Sequence, residues 1–247
     1  MKKTFSIKES FVMGWKTMRA HSGLIFKVVL TVFALQVMFE IVTKALVPNN
    51  PIGILLAAVL MVFLMVVGLG TTLISLKLVR SKPARYRDLF PPVKLIVRYG
   101  LASILTGLVV LAPLIVAGII VAVGMVLLGA SFTTGTVASP YVSLLVLSVV
   151  VALFLATAVT LSGYLLLRFS FMRFAVLDSE TPVASLRKSA RLVRGHTLPL
   201  LLFFIIVLVL NLLGAMLFLV GLLITVPVTT LAYAHVYQKL KEHIETK

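Results

Sequence analysis

The sequence predicts an all-α, polytopic membrane protein with six transmembrane helices arranged as three hairpins. Three observations carry that expectation: 61% of the residues are hydrophobic, the apolar residues fall in blocks of bilayer length, and lysine and arginine crowd into alternate connections between the blocks. Charged residues make up 12% of the chain, against about 25% in soluble domains, and the mean hydropathy is +1.17. Water is not the main solvent of such a chain. Every connection between apolar blocks is short, so one membrane domain is expected over residues 1–247, with no separate soluble domain.

A helix needs about 20 apolar residues to cross roughly 30 Å of hydrocarbon. Leu24 to Val47, Ile52 to Leu76, Leu101 to Gly129 and Val142 to Leu167 each exceed that length. The last block, Leu198 to Tyr237, runs for 40 residues. As one helix it would be about 60 Å long, so a break is expected between Gly214 and Gly221, giving spans five and six. Met1 to Gly23 is polar and basic and lacks the short apolar core of a cleaved signal, so the first block is expected to be retained as a span.

Orientation follows from the basic residues. The N-terminal arm to Lys27 holds six lysines and arginines, the connection Lys77 to Arg98 seven, the connection Arg168 to Arg194 six, and the tail Lys239, Lys241 and Lys247; only Lys44 falls elsewhere. The remaining connections, Pro48 to Pro51, Ser131 to Pro140 and the turn near Gly214 to Gly221, carry no charge. Both termini are therefore expected on the cytoplasmic side of a cell membrane. The net charge of +16 lies beside apolar spans, which points to anionic lipid headgroups as partners, with a protein partner or a second copy also open, and not to nucleic acid. The absence of cysteine excludes disulfides and thiolate metal sites.

An internal repeat accompanies this pattern. Glu9-Ser10-Phe11 through Arg19-Ala20-His21-Ser22 aligns without gaps to Ala184-Ser185-Leu186 through Arg194-Gly195-His196-Thr197, and a fainter copy runs from Asp88 to Gly100. Three units follow, at about 6–76, 86–167 and 181–237, each a basic segment leading into a membrane hairpin. In the first, Ser6 with Glu9 predicts a helix N-cap, with Ile7, Phe11, Trp15 and Met18 on one face and Lys8, Lys16 and Arg19 off it. In the third, Thr181 and Pro182 predict the helix start, with Val183, Leu186, Ala190 and Val193 opposite Arg187, Lys188, Arg191 and Arg194. Both read as helices lying in the headgroup plane, and with His21 and His196 these cations are the candidate headgroup ligands. In the middle copy Pro91-Pro92 allows a helix to begin only there.

The stretch from Arg168-Phe169-Ser170-Phe171 through Leu177-Asp178 to Ala184-Ser185-Leu186-Arg187-Lys188-Ser189-Ala190-Arg191-Leu192-Val193-Arg194-Gly195-His196, with Gly14-Trp15 before the first span, resembles the YciC-like (UPF0259-type) membrane proteins. It is also similar to the membrane domain of membrane-anchored glycerophosphoryl diester phosphodiesterases. The resemblance implies a six-span fold of mostly unassigned function; the catalytic barrel of the fused relatives has no counterpart here, so it implies no activity.

Polar residues within the spans are few. Glu40, with Gln36 and Lys44 one turn to either side, is a candidate for ion coupling or, as the preferred reading, a local pair with Lys44. Asn211 lies in the fifth span, and Thr225, Thr229 and Thr230 surround Pro227 in the sixth; a polar pathway or helix packing would each use them. Gly68, Gly70, Gly107, Gly118 and Gly124 suggest close helix contact. No phosphate loop and no Gly-x-Ser-x-Gly nucleophile turn occurs, and the four histidines lack ligand spacing, so no catalytic residue, metal or cofactor is expected. The leading expectation is a non-enzymatic module that engages lipid or a partner; the alternative is a small transporter or channel past Gln36, Glu40 and Asn211. A lipid-acting enzyme would need His21, His196 or His235 beside Asp178 or Glu180.

Overall fold

A computed structural model describes residues 5–45, 50–133, 140–179, 181–217 and 221–245. Among the described residues the chain forms helices and turns, with no strand. In order these are α1 (Ile7–Ala20), α2 (Ser22–Ala45), α3 (Pro51–Val79), a 3-10 turn (Tyr86–Leu89), α4 (Val93–Thr133), α5 (Pro140–Arg168), α6 (Met172–Ala175), a second 3-10 turn (Val176–Asp178), α7 (Pro182–Val193), α8 (Thr197–Met216) and α9 (Leu222–Glu245). Five helices, α2, α3, α4, α5 and α8, are long and apolar enough to cross a membrane. The chain is an all-helical membrane protein.

The expected spans fall within these helices, and Val47, at the end of the first, lies outside the described residues. So do most of the uncharged connections (Pro48-Asn49, 134–139 and 218–220), together with Glu180 and Lys247. α4 is longer than its expected span: at 41 residues it extends roughly 60 Å, running through Pro113. The expected break in the last block occurs, with α8 ending at Met216 and α9 starting at Leu222. α9 is not one of the five apolar helices. Its second half carries Lys239, Lys241, Glu242 and Glu245, and its middle is buried in protein.

Local signals set the helix starts. Ser6 caps α1 by accepting from Glu9 N at 3.4 Å, and Thr181 caps α7 by accepting from Ala184 N at 3.2 Å. Asn50 Oδ1 accepts from Ile52 N at 2.9 Å, with Pro51 as the first residue of α3. The middle copy begins its helix at Val93, directly after Pro91-Pro92, as the prolines require. α3 ends with Ser81 at φ 54° while Lys82 N donates to Lys77 O at 2.9 Å, a left-handed closure that turns Arg80 toward the protein.

Two compact units result: one comprises residues 1–102 and 171–247, the other 103–170. In the first, α9 is the central post, packed by α1, α2, α3, α7 and α8. Its Leu231, Ala232, Ala234, Val236, Tyr237 and Leu240 are buried. Around it, Ile25, Val28, Val67, Ile74, Leu78, Leu89 and Leu231 form one apolar cluster, and Leu69, Tyr99, Ala102, Met172 and Val176 a second. An aromatic run links Phe11 to Phe203 (5.3 Å between centroids), Phe203 to Tyr233 (6.2 Å) and Tyr233 to Phe174 (5.1 Å), tying α1, α8, α9 and α6 together. In the second unit, α4 beyond Ala102 and α5 expose most of their apolar side chains, as lipid-facing helices do.

Both basic helices also pack against the protein. α1 buries Ser10 and Gly14, and α7 buries Ser185, Ser189, Leu192 and Val193. Ser10 Oγ donates to Ser6 O at 2.9 Å and Ser185 Oγ to Thr181 O at 3.0 Å. Ile7, Phe11 and Met18 are half-buried, whereas Trp15 and Val183 are exposed. In α1 the fully buried positions are small residues, which allow the closest approach; in α7 Leu192 and Val193 are buried beside the two serines.

Candidate functional site

At the basic end of the first unit, Asp178 gathers residues from the end of α3, from α7 and from α9. Arg80, just past α3, grips the carboxylate with both terminal nitrogens, Nη1 to Oδ1 at 3.1 Å and Nη2 to Oδ2 at 2.6 Å. From α9, the Tyr237 hydroxyl donates to Oδ2 at 2.9 Å and Lys241 Nζ at 2.9 Å. Lys188 of α7 holds its ammonium 4.0 Å from the same oxygen. Arg80 Nε also donates to Gln238 Oε1 at 2.9 Å, and Arg98 donates to the Ser179 carbonyl.

Burial alone would raise the pKa of Asp178, but the hydrogen bonds and charges of Arg80 and Lys241, with the Tyr237 hydroxyl, outweigh it and hold the carboxyl well below the usual carboxylate range. A carboxylate held ionised and already accepting four hydrogen bonds is poorly suited to take a proton from a substrate. Among the described residues its hydrogen-bond partners are two cations and a phenol, with Lys188 a more distant third cation; none is a histidine, which a lipid-acting enzyme would require.

Beside this hub opens a cleft of about 550 Å³ between α7 and the end of α9. Arg187, Lys188 and Arg191 stand on one side, Lys241, Ile244 and Glu245 on the other, and Asp178 with Ser179 at the base. Arg187 and Arg191 are exposed, and Lys188 is half-buried. A shallow surface on α1, lined by Phe11, Val12, Trp15, Lys16 and Arg19, sets apolar side chains beside cations. A third recess, of about 430 Å³, brings Lys16 and His21 next to Lys82.

The remaining expected residues spread out. Lys8 and Arg194 are exposed. His21 places Nδ1 3.2 Å from Thr17 O at the end of α1, His196 meets His243 edge-on at 6.1 Å, and His235 is buried with Nδ1 3.3 Å from Ser10 Oγ. The four histidines therefore sit in three places. Glu40 pairs with Lys44 at 2.6 Å on the exposed surface of α2, where Gln36 is exposed as well. Asn211 instead turns Oδ1 inward, without a hydrogen-bond partner among the described residues, one turn from Gly214. The repeat register that pairs His21 with His196 also pairs Gln36 with Asn211, yet one side chain is exposed and the other half-buried. Thr229 and Thr230 both donate to Val226 O, at 3.0 and 2.8 Å, a helical carbonyl other than the one left free by Pro227.

The glycine expectation needs correction. A Cβ added at Gly68, Gly107 or Gly118 would meet nothing within 4 Å, and one at Gly124 would meet only Leu147 at 3.4 Å, an ordinary contact. Of the five, Gly70 alone is tight, against the Leu89 carbonyl. Close approaches against backbone also occur at Gly14, where a Cβ would sit 2.7 Å from Val228 O, and at Gly214 and Gly221, where α8 meets α9.

Sequence reasoning missed Arg80, Tyr237 and Lys241 as ligands of Asp178. The available signal was Asp178 itself, one of seven acidic residues against 23 basic ones, set with Glu180 in a connection that holds six basic residues. A carboxylate there has cations within reach from several segments, and only the fold selects which. No curated protein and no solved structure matches the chain. The model of a family described as a domain of unknown function, DUF7847, matches residues 5–242, nearly the whole chain, and the protein belongs to that family.

Proposed function

We propose that the protein is a non-enzymatic, six-span module of the cell membrane, with both termini cytoplasmic, that holds α1 and α7 in the headgroup plane and engages anionic lipid through them. One observation carries this reading. α1 docks on α9 through Ser10 and Gly14 and leaves Val12, Met13 and Trp15 exposed beside Lys8, Lys16 and Arg19. An uncovered apolar edge next to cations is what an anionic membrane surface binds. α7 repeats the arrangement with Val183 beside Arg187, and its cap and back-bonded serine match those of α1, which supports the internal repeat. α9 supplies the sixth span through Leu222 to Tyr237, the part that precedes its charged end. A kinship with the YciC-like proteins would carry the same topology and adds no activity.

Each cation near an anionic surface contributes roughly 1 kcal/mol, about a fivefold enrichment of anionic lipid. The full chain in nanodiscs of mixed phosphatidylglycerol and phosphatidylcholine is expected to retain the anionic lipid preferentially by native mass spectrometry. Replacing Lys8, Lys16 and Arg19 by Gln should lower that preference severalfold. No preference in the wild-type protein would remove the basis of the reading.

A further inference from the structure

From the cleft between α7 and the end of α9, we infer a binding site for a phosphate monoester, with Arg187, Lys188 and Arg191 as its ligands; the inference rests on, and narrows, the lipid reading above.

The charges in the cleft are unequally used. Both carboxylates among its described lining residues lie against Lys241: Asp178 accepts from it at 2.9 Å, and Glu245 lies 3.8 Å away. Arg80 further offsets Asp178 from behind. Arg187 and Arg191, one helical turn apart on the same face, have no acidic partner among the described residues. Lys188 is directed to Asp178 at 4.0 Å, too far for a direct hydrogen bond. The wall on α7 thus presents two guanidinium groups without an anion and an ammonium only loosely paired, while the carboxylates among the described lining residues are already offset by Lys241 and Arg80.

The chemistry of the set selects the ligand. Two guanidinium forks and an ammonium match the three terminal oxygens and near-double charge of a phosphate monoester better than the single charge of a diester. The volume, about 550 Å³, is in the range of small-molecule sites and larger than a bare phosphate ion. Val183 and Ile244 line the cleft alongside the cations, as the ester portion of a ligand would require. Burial, followed by the opposing charges of Asp178 and Lys241, leaves the pKa of Lys188 below its ordinary value; a bound dianion would reverse that. The same phosphoryl chemistry is available from a lipid such as phosphatidate or from a soluble ester.

The test uses the full chain in nanodiscs containing either phosphatidate or phosphatidylglycerol at equal charge, with inorganic phosphate and glycerol phosphate titrated separately. Wild-type protein is expected to retain phosphatidate about tenfold over phosphatidylglycerol. R187Q/R191Q, at exposed positions that the fold does not use, should abolish that preference. R87Q/K94Q, which removes two exposed cations elsewhere, should keep it. Displacement of phosphatidate by millimolar glycerol phosphate supports the site and identifies a soluble ester as its ligand; resistance to displacement supports it and identifies the lipid. Equal retention of the two lipids by the wild type, or a preference unchanged in R187Q/R191Q, overturns the site. Either result leaves the broader reading standing as long as the wild type still prefers anionic to neutral lipid.

Discussion

Asp178→Asn is expected to be among the most damaging conservative substitutions in the chain. Asparagine preserves shape but removes the charge that holds Arg80 and Lys241, whose side chains are 21% and 19% exposed. Breaking a largely buried ion pair by removing one partner costs roughly 3 kcal/mol, which corresponds to a drop of roughly 5–10 °C in the unfolding temperature for a chain of this size. Arg80→Gln should cost a similar amount, and the double variant less than the sum, because the two losses share one interaction.

The pH dependence follows from the depressed pKa of Asp178. A carboxyl whose folded pKa lies below its unfolded value contributes fully above the unfolded pKa, about 3.9, and loses that contribution as pH falls toward the folded value. The gap in unfolding temperature between wild type and Asp178→Asn should therefore be constant from pH 8 to 5 and shrink below about pH 4. Thermal unfolding in a neutral detergent checks this; a gap that persisted unchanged at pH 3 would mean that Asp178 acts through shape and not charge.

Gly14→Val should undock α1. A Cβ there would lie 2.7 Å from Val228 O and 3.0 Å from Ala232 N, and both are helix backbone that has nowhere to move. Overpacking of this kind costs roughly 1–3 kcal/mol, enough to release a 14-residue helix held on one side. Gly23→Val, where a Cβ meets nothing within 4 Å, is the control. Trp15 is the only tryptophan, so its fluorescence reports α1 alone, and its emission should shift in Gly14→Val but not in Gly23→Val. Faster amide exchange confined to α1 would accompany the shift.

Legibility in the sequence followed the range of the interactions. Ser6 with Glu9, Thr181 with Pro182, and Pro91-Pro92 act within one helical turn, and each sets a boundary where the residues predict it. Hydropathy found the apolar blocks, because lipid-facing and core-facing residues are equally apolar. For the same reason it did not show that α9 is buried by protein: Leu231, Val236 and Leu240 read no differently from residues facing lipid. The Asp178 hub joins residues 80, 178 and 241, and no local pattern announces such a meeting. Amphipathic reading set the cations of α1 and α7 off an apolar face, but it did not distinguish Ser10 and Gly14, which pack against protein, from the other small residues of α1. Helix-to-helix distance, invisible in a periodicity, decided that difference.

Both α1 and α7 are proposed to lie in the cytoplasmic headgroup plane. The chain has no cysteine, so Trp15→Cys and Val183→Cys each give a single labelling site without further changes. Spin labels at these positions in oriented proteoliposomes are predicted to sit at the boundary between headgroups and acyl chains: accessible to oxygen, poorly accessible to a water-soluble nickel chelate, and reached by a membrane-impermeant reductant only from the side that carries the termini. Labels that are freely exposed to the chelate, or that the reductant reaches from the opposite side, would contradict this placement.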